Sequence, residues 1–294
     1  MLGKKIGYYL FRITVFKFKL LPFRAMYILA DGIAFLLNYI IPYRKSVVMK
    51  NLHKCFPEKN EKEIIQIRKN YYRIFSDLLL ETLKGTLMNK KQLVDRFRVI
   101  NPAVSNKFFE KGQDVIMVLG HFANWEWATA SLVECLKHHP AVLYKPISNI
   151  YIDDFIKKSR ARFGIDLVSI YQTGRYFLSK KAKPVAYYMI ADQYSPNKIR
   201  QITANFFHSQ TGFLNGPEKY AKLLNIPVIY TEIRREKRGF YTMELFELCE
   251  DPAQMPPGEI TQRYANFLEN SIKKQPENWI WTHKRWKKEL YSFD

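Results

Sequence analysis

The chain has 294 residues, 47% hydrophobic and 15% aromatic, with a formal net charge of +20. That apolar content excludes global disorder, and the length suffices for one large core or two small ones. The charge favours an anionic partner, whether nucleic acid, an anionic membrane surface or a phosphorylated substrate. Cys55, Cys135 and Cys249 lie far apart and form no metal-type pair, so they read as free thiols of a reducing compartment.

Residues 1–24 mix basic and apolar types, and Ala25 to Ile41 is largely apolar. From Met1 to Lys50 there are nine Lys or Arg and one acidic residue, Asp31. The apolar run starts too late for a cleaved signal peptide and lacks a small-residue cleavage site. It is also short for a membrane span, being broken by Asp31 and Asn38. A basic, aromatic-rich anchor at the inner leaflet fits this composition better, with an ordinary buried helix as the alternative. The division expected is a membrane-associated anchor over 1–45 and one further domain over 46–294.

Asn51 to Pro57 reads as a loop, and Glu58 to Leu87 as one or two helices by the spacing of its apolar residues. A short strand is expected over Val94–Val99, and a helix end near Lys107–Lys111. Val115 to Leu119 is a short, partly β-branched apolar run, the composition of a buried strand. Further strands are expected at Ala141–Tyr144, Leu167–Ile170, Val185–Ala191, Ile226–Ile233 and Phe240–Cys249. Between them, helices are expected at Ile152–Phe163, Arg175–Lys180 and Gly216–Leu224, with Pro217 in a first turn. Residues 194–215 read as a loop, and Thr261–Lys274 as a last helix before a tryptophan-rich tail. The alternation implies an α/β fold with a central, mostly parallel sheet flanked by helices, preceded by a helical N-terminal anchor.

Chemistry gathers at the end of the Val115–Leu119 strand. Gly120 breaks the run, His121 follows, and Glu126 comes five residues later. On one continuous helix that spacing would put the two roughly 140° apart. They meet if His121 sits in the loop and Glu126 in the first helical turn, with Asn124 as the N-cap. A loop histidine beside a carboxylate is a general base with its orienter, at the strand end where open α/β sheets place their sites. The plainer reading is a structural histidine and a glutamate that only stabilises the helix dipole. Asp192 and Gln193 also follow a strand, and either line the same cleft or cap a turn. Arg160 and Arg162 suit a phosphate or a solvated helix face. There is no G-x-S-x-G elbow, phosphate loop, dinucleotide fingerprint or zinc pattern, and His121/Glu126 lack a visible third metal ligand. What remains is base-assisted attack of a hydroxyl or amine on an activated acyl group.

Gly120–Glu126, GHFANWE, resembles the H-x-x-x-x-D/E motif of glycerolipid acyltransferases, and its NWE is similar to the late lauroyl and myristoyl transferases of lipid A biosynthesis. The resemblance covers most of the chain. It includes Asn51-Leu52 with Phe56-Pro57, Tyr144-Lys145-Pro146, Arg160, Arg162-Phe163-Gly164, Asp192-Gln193, Phe206-Phe207, Thr211 and Gly216-Pro217. It closes on Pro276, Trp279, Trp281, His283, Arg285, Trp286 and Lys287. Ala123 departs from the glycine common in that motif, and His208 from the glycine of an FFG element. The resemblance implies a glycerolipid acyltransferase-like fold without a cofactor or metal. The acyl chain would pass from acyl carrier protein or acyl-CoA to a phosphorylated lipid acceptor at the cytoplasmic face of the inner membrane. His121 would be the base and Glu126 its partner. Arg160, Arg162, Asn124, Lys145, Asp192 and Gln193 would contact substrate, Arg160 foremost. A lysophospholipid or aminolipid acceptor is the alternative within enzymes. A non-catalytic protein of anionic membranes or nucleic acid is the alternative of another class. Nucleic acid is disfavoured because most aromatics fall in apolar runs and not in a basic groove.

Overall fold

A computed structural model describes residues 2–195 and 197–287. Its centre is a seven-stranded sheet in the order β1-β9-β8-β2-β5-β3-β4. The strands are β1 (Phe97–Val99), β2 (Val115–Leu119), β3 (His139–Tyr144), β4 (Asp166–Ser169), β5 (Val185–Ile190), β8 (Val228–Lys237) and β9 (Phe240–Cys249). β8, β2, β5, β3 and β4 run parallel, and β9 turns back antiparallel to β8 with β1 alongside it. The α/β class and mostly parallel sheet expected from the alternation are therefore present. Every residue of β2 is buried, which is why it reads as a continuous apolar run with no alternation. Central strands β2 and β5 pair in register from Val115 opposite Ala186 to Leu119 opposite Ile190. Their carboxyl ends therefore emerge side by side.

The helices are α1 (Leu2–Leu20), α2 (Phe23–Phe35), α3 (Lys45–Cys55), α4 (Glu61–Gly85), α5 (Lys90–Val94), α6 (Ala103–Glu110), α7 (Trp125–Cys135), α8 (Ile150–Ala161), α9 (Thr173–Leu178), α10 (Gly216–Leu224) and α11 (Glu259–Lys274). The segment read as one or two helices over Glu58–Leu87 holds one long helix, α4, opened by a reciprocal Asn60/Glu63 capping box. Pro217 occupies the first turn of α10.

Two segments differ from their sequence reading. Asn51–Cys55, expected as loop, is the end of α3, because Val47, Val48, Leu52 and Cys55 bury one face. Residues 194–215, expected as loop, hold an antiparallel hairpin, β6 (Gln201–Phe206) with β7 (Ser209–Leu214). Its turn residues Phe207 and His208 both take positive φ, 44° and 60°, where Asn-Gly is the usual signal.

At the N-terminus α2 continues through a π-helical turn, Leu36–Ile40. Phe23–Ile40 is the one helix among the described residues long and apolar enough to cross a membrane by length and composition. Met26, Ala30 and Ala34 face the protein, and Met26 and Ala30 pack with Phe18 and Leu80. Asp31, which interrupts the apolar run, pairs with Arg238 at 2.8 Å. Arg238 also binds the buried Asp77 of α4, which in turn binds Arg235. The outer faces of α1 and α2 expose Leu10, Phe16, Leu20, Ile28, Phe35 and Ile40.

Candidate active site

Gly120 follows β2 at a closely packed point, where an added side chain would require Leu268 to shift. A Cβ there would lie 2.6 Å from Leu268 Cδ1 and 3.3 Å from Asp192 Oδ2. The chain then turns through His121, Phe122 and Ala123 into α7. Ala123 sits at φ 50°, a conformation that suits glycine, and its methyl group is nonetheless buried. The closing segment clamps this corner. The Ala123 amide donates to the Asn278 carbonyl at 2.8 Å, and the Ile280 amide to the His121 carbonyl at 3.2 Å. That segment is anchored in turn by Asn51 Nδ2, which donates to the Trp281 and His283 carbonyls at 2.9 Å each.

The imidazole of His121 is held by Asp192, which follows β5. Nδ1 lies 2.6 Å from Asp192 Oδ1, and the His121 amide donates to Oδ2 at 2.8 Å. The Trp279 indole N–H donates to the same Oδ2 at 2.8 Å. Burial alone would raise this carboxyl, but the adjacent His121 and the hydrogen bonds from His121 and Trp279 outweigh it and hold it at about 2. An ionised acceptor on Nδ1 makes Nδ1 the protonated nitrogen and Nε2 the lone-pair-bearing acceptor. Nε2 has the Gln193 side-chain amide nitrogen at 3.4 Å. The Trp125 ring meets the imidazole edge to face at 5.1 Å between centroids.

Glu126 stands in the first turn of α7, as its spacing predicts, and its carboxylate forms an ion pair with Arg160 of α8. Among the described residues it makes no hydrogen bond to the His121 ring. Asn124 caps α7 by accepting from the Trp127 amide at 2.9 Å, and its amide donates to the buried Glu81 at 2.8 Å. Asn124 is thus wholly enclosed. Glu81 also accepts from the hydroxyls of Tyr27 and Tyr241, at 2.8 and 2.6 Å, which ties α2 and β9 to the start of α7. Burial raises the Glu81 carboxyl, although the tyrosine hydrogen bonds oppose it.

The cleft in front of the imidazole has a volume of about 610 Å³. Polar groups on its wall include the five expected residues His121, Glu126, Lys145, Arg160 and Gln193, with Asp153 and several hydroxyl side chains beside them, and the remaining surface is mainly apolar, including Ile147, Ile156, Phe163 and Leu214. Of the residues expected at the site, these five share one cavity, with Asp192 directly behind His121. Arg162 lies elsewhere: it donates to the Met88 carbonyl at 2.6 Å and borders a separate cavity of about 330 Å³. No three His, Cys, Asp or Glu side chains among the described residues are gathered as a metal set.

The residue that sequence reasoning placed least well is Asp192. Apart from the resemblance, its signal was position after a buried strand, and the pairing of β2 with β5 that brings it to His121 is not written in either strand. Trp279, 158 residues beyond His121, entered only through the closing segment of the resemblance, with nothing in the sequence to place it against Asp192.

The chain matches the family of bacterial lipid A biosynthesis acyltransferases over residues 3–288. It is 22% identical over 271 residues to the lipid A biosynthesis lauroyltransferase of Escherichia coli strain K12, covering 91% of this chain and 87% of that protein. A histidine on the wall of a mainly apolar cleft accords with acyl transfer, and the chain belongs to the bacterial lipid A biosynthesis acyltransferase family.

Proposed function

We propose that this acyltransferase moves a fatty acyl chain from an acyl thioester to a hydroxyl of a lipid A precursor. The observation that carries the reading is the buried, ionised Asp192 on His121 Nδ1, with Nε2 beside a cleft whose walls are mainly apolar. The apolar wall takes the acyl chain, and Lys145 and Arg160 attract the anionic acceptor or donor headgroup. His121 Nε2 removes the acceptor hydroxyl proton as the oxygen attacks the thioester carbonyl. The tetrahedral intermediate collapses, the C–S bond breaks, and the imidazolium returns the proton to the departing thiolate. The ester and the free thiol are the products, so atoms and charge balance. In this reading Asp192 positions the base, and Glu126 acts on the reaction through Arg160.

The donor is an acyl chain on acyl carrier protein or coenzyme A, and the basic surface suits an acidic carrier. The first 45 residues form the anchor. α2 is clamped to the body through Asp31 and Tyr27, while its other face and that of α1 present apolar and basic groups. That geometry supports a helix pair lying in the cytoplasmic leaflet of the inner membrane, with the body on 46–294 carrying the chemistry.

The test is acyl transfer by purified protein, read by mass spectrometry, with a phosphorylated lipid A precursor and a lysophospholipid offered together. Preferential acylation of the lipid A precursor is expected. Acylation confined to the lysophospholipid would overturn the acceptor.

A further inference from the structure

Arg285 is wholly buried, and no carboxylate among the described residues pairs with it. Burial pulls its guanidinium down to about 10, with Asp192 opposing, so it remains charged at neutral pH. Its one side-chain hydrogen bond runs from Nη1 to Thr211 Oγ1 at 3.0 Å. The rings of Phe213 and Phe206 lie 4.4 and 5.6 Å from the guanidinium carbon. Aromatic rings can satisfy the faces of a guanidinium but not its in-plane N–H edges. Among the described residues, Nε and Nη2 are buried without a hydrogen-bond partner.

Two further buried donors nearby are in the same condition, Gln201 Nε2 and Trp286 Nε1. Arg285, Gln201 and Trp286 line one cavity of about 150 Å³, together with Tyr194, Thr211 and the exposed Lys287. A Cβ at Gly212 would lie 1.7 Å from Gln201 Oε1, so the backbone packs directly on that amide and holds it in place. The partnerless atoms of these three side chains are all donors, and a buried cation and a lysine share the space. Water brings two protons of its own and would leave such donors competing for its lone pairs. A group with three or four oxygen acceptors and negative charge satisfies them. The volume admits about five heavy atoms, given roughly 30 Å³ per water molecule in the liquid. Gln193 lines the active-site cleft, and Tyr194, the next residue in the chain, lines this cavity.

We propose that Arg285, Gln201, Trp286 and Lys287 form an anion site that takes a phosphate group carried by one of the enzyme's substrates. The link to a substrate rests on the acyl-transfer reading above, whereas anion binding does not and is measured without turnover. Inorganic phosphate is titrated into the full-length protein at constant ionic strength, with thermal unfolding and calorimetry as readouts. Phosphate is expected to raise the wild-type Tm. Gln201→Glu, which places a carboxylate beside Arg285, should raise the phosphate-free Tm by about 2–4 °C and weaken phosphate binding at least about tenfold. Lys287→Ala, at an exposed position, should weaken binding several-fold with an unchanged Tm. An unaltered wild-type Tm under phosphate, or undiminished affinity in both variants, would overturn the site. In turnover assays, inhibition by phosphate that is competitive with the lipid acceptor assigns the group to that lipid. Competition with the thioester donor assigns it to the phosphodiester of the donor, and competition with neither overturns the link to a substrate.

Discussion

His121 and Glu126 were brought together in the sequence by five residues of spacing, and the fold gives each a different partner. The sequence shows a strand, a break and a histidine because β2 is short, wholly buried and bounded by a glycine packed closely against Leu268 and Asp192. It does not show that Asp192 holds the imidazole, because that contact depends on which strand lies beside β2. Glu126 pairs with Arg160, and both side chains are about a quarter exposed, at 25% and 23%. A pair this open to solvent on one side adds modestly to folding, so on the acyl-transfer reading its removal is expected to show more in substrate binding than in stability. Glu126→Gln and Arg160→Lys are each expected to raise KM for the anionic substrate about tenfold or more. The double variant should be little worse than either single one, since the two act as a unit. Additive effects on kcat, with unchanged KM, would place Glu126 on the imidazole instead.

Among the elements, the strands and long helices were legible because their apolar runs are bounded by Gly, Pro or charged clusters. The β6–β7 hairpin was not, because Phe207-His208 lacks the chemistry of a tight turn and is held in place by contacts distant in sequence. One of these is the Phe207 amide, which donates to Glu269 of α11 at 2.7 Å. The α2 helix was legible as an apolar run, but Asp31 read as an interruption. In the fold it is the outer end of a charge relay running from Asp31 through Arg238 to Asp77 and Arg235. The two carboxylates differ in worth. Asp77 is 2% exposed, and removing it would leave two arginines without their buried counter-ion. Asp77→Ala should therefore cost about 3–5 kcal/mol, read by denaturant unfolding. Asp31 is half exposed, its side chain at 49%, and Asp31→Ala should cost less than about 1 kcal/mol. Equal losses from the two would mean that the helix is not clamped in this way.

For the molecule as a whole, the surplus of positive charge and the exposed apolar faces of α1 and α2 point the same way. Truncating the N-terminus would test this poorly, since it would also uncover Leu80 beneath Met26 and Ala30. Substituting outward residues leaves that packing intact. Leu10→Glu, Ile28→Glu and Ile40→Glu together should release folded protein from anionic vesicles in a flotation assay, with wild-type binding weakened by salt. Retention of the folded triple variant on the vesicles would place the membrane contact elsewhere. The central claim concerns the base and the carboxylate behind it. It is tested most directly by acyl transfer to a lipid A precursor, comparing wild type, Asp192→Asn, His121→Ala and the double variant as folded proteins. The account predicts that Asp192→Asn lowers kcat by about 10²–10⁴-fold, by releasing the Nδ1–H tautomer, and that the double variant is no slower than His121→Ala alone. Near-wild-type turnover by Asp192→Asn would contradict it.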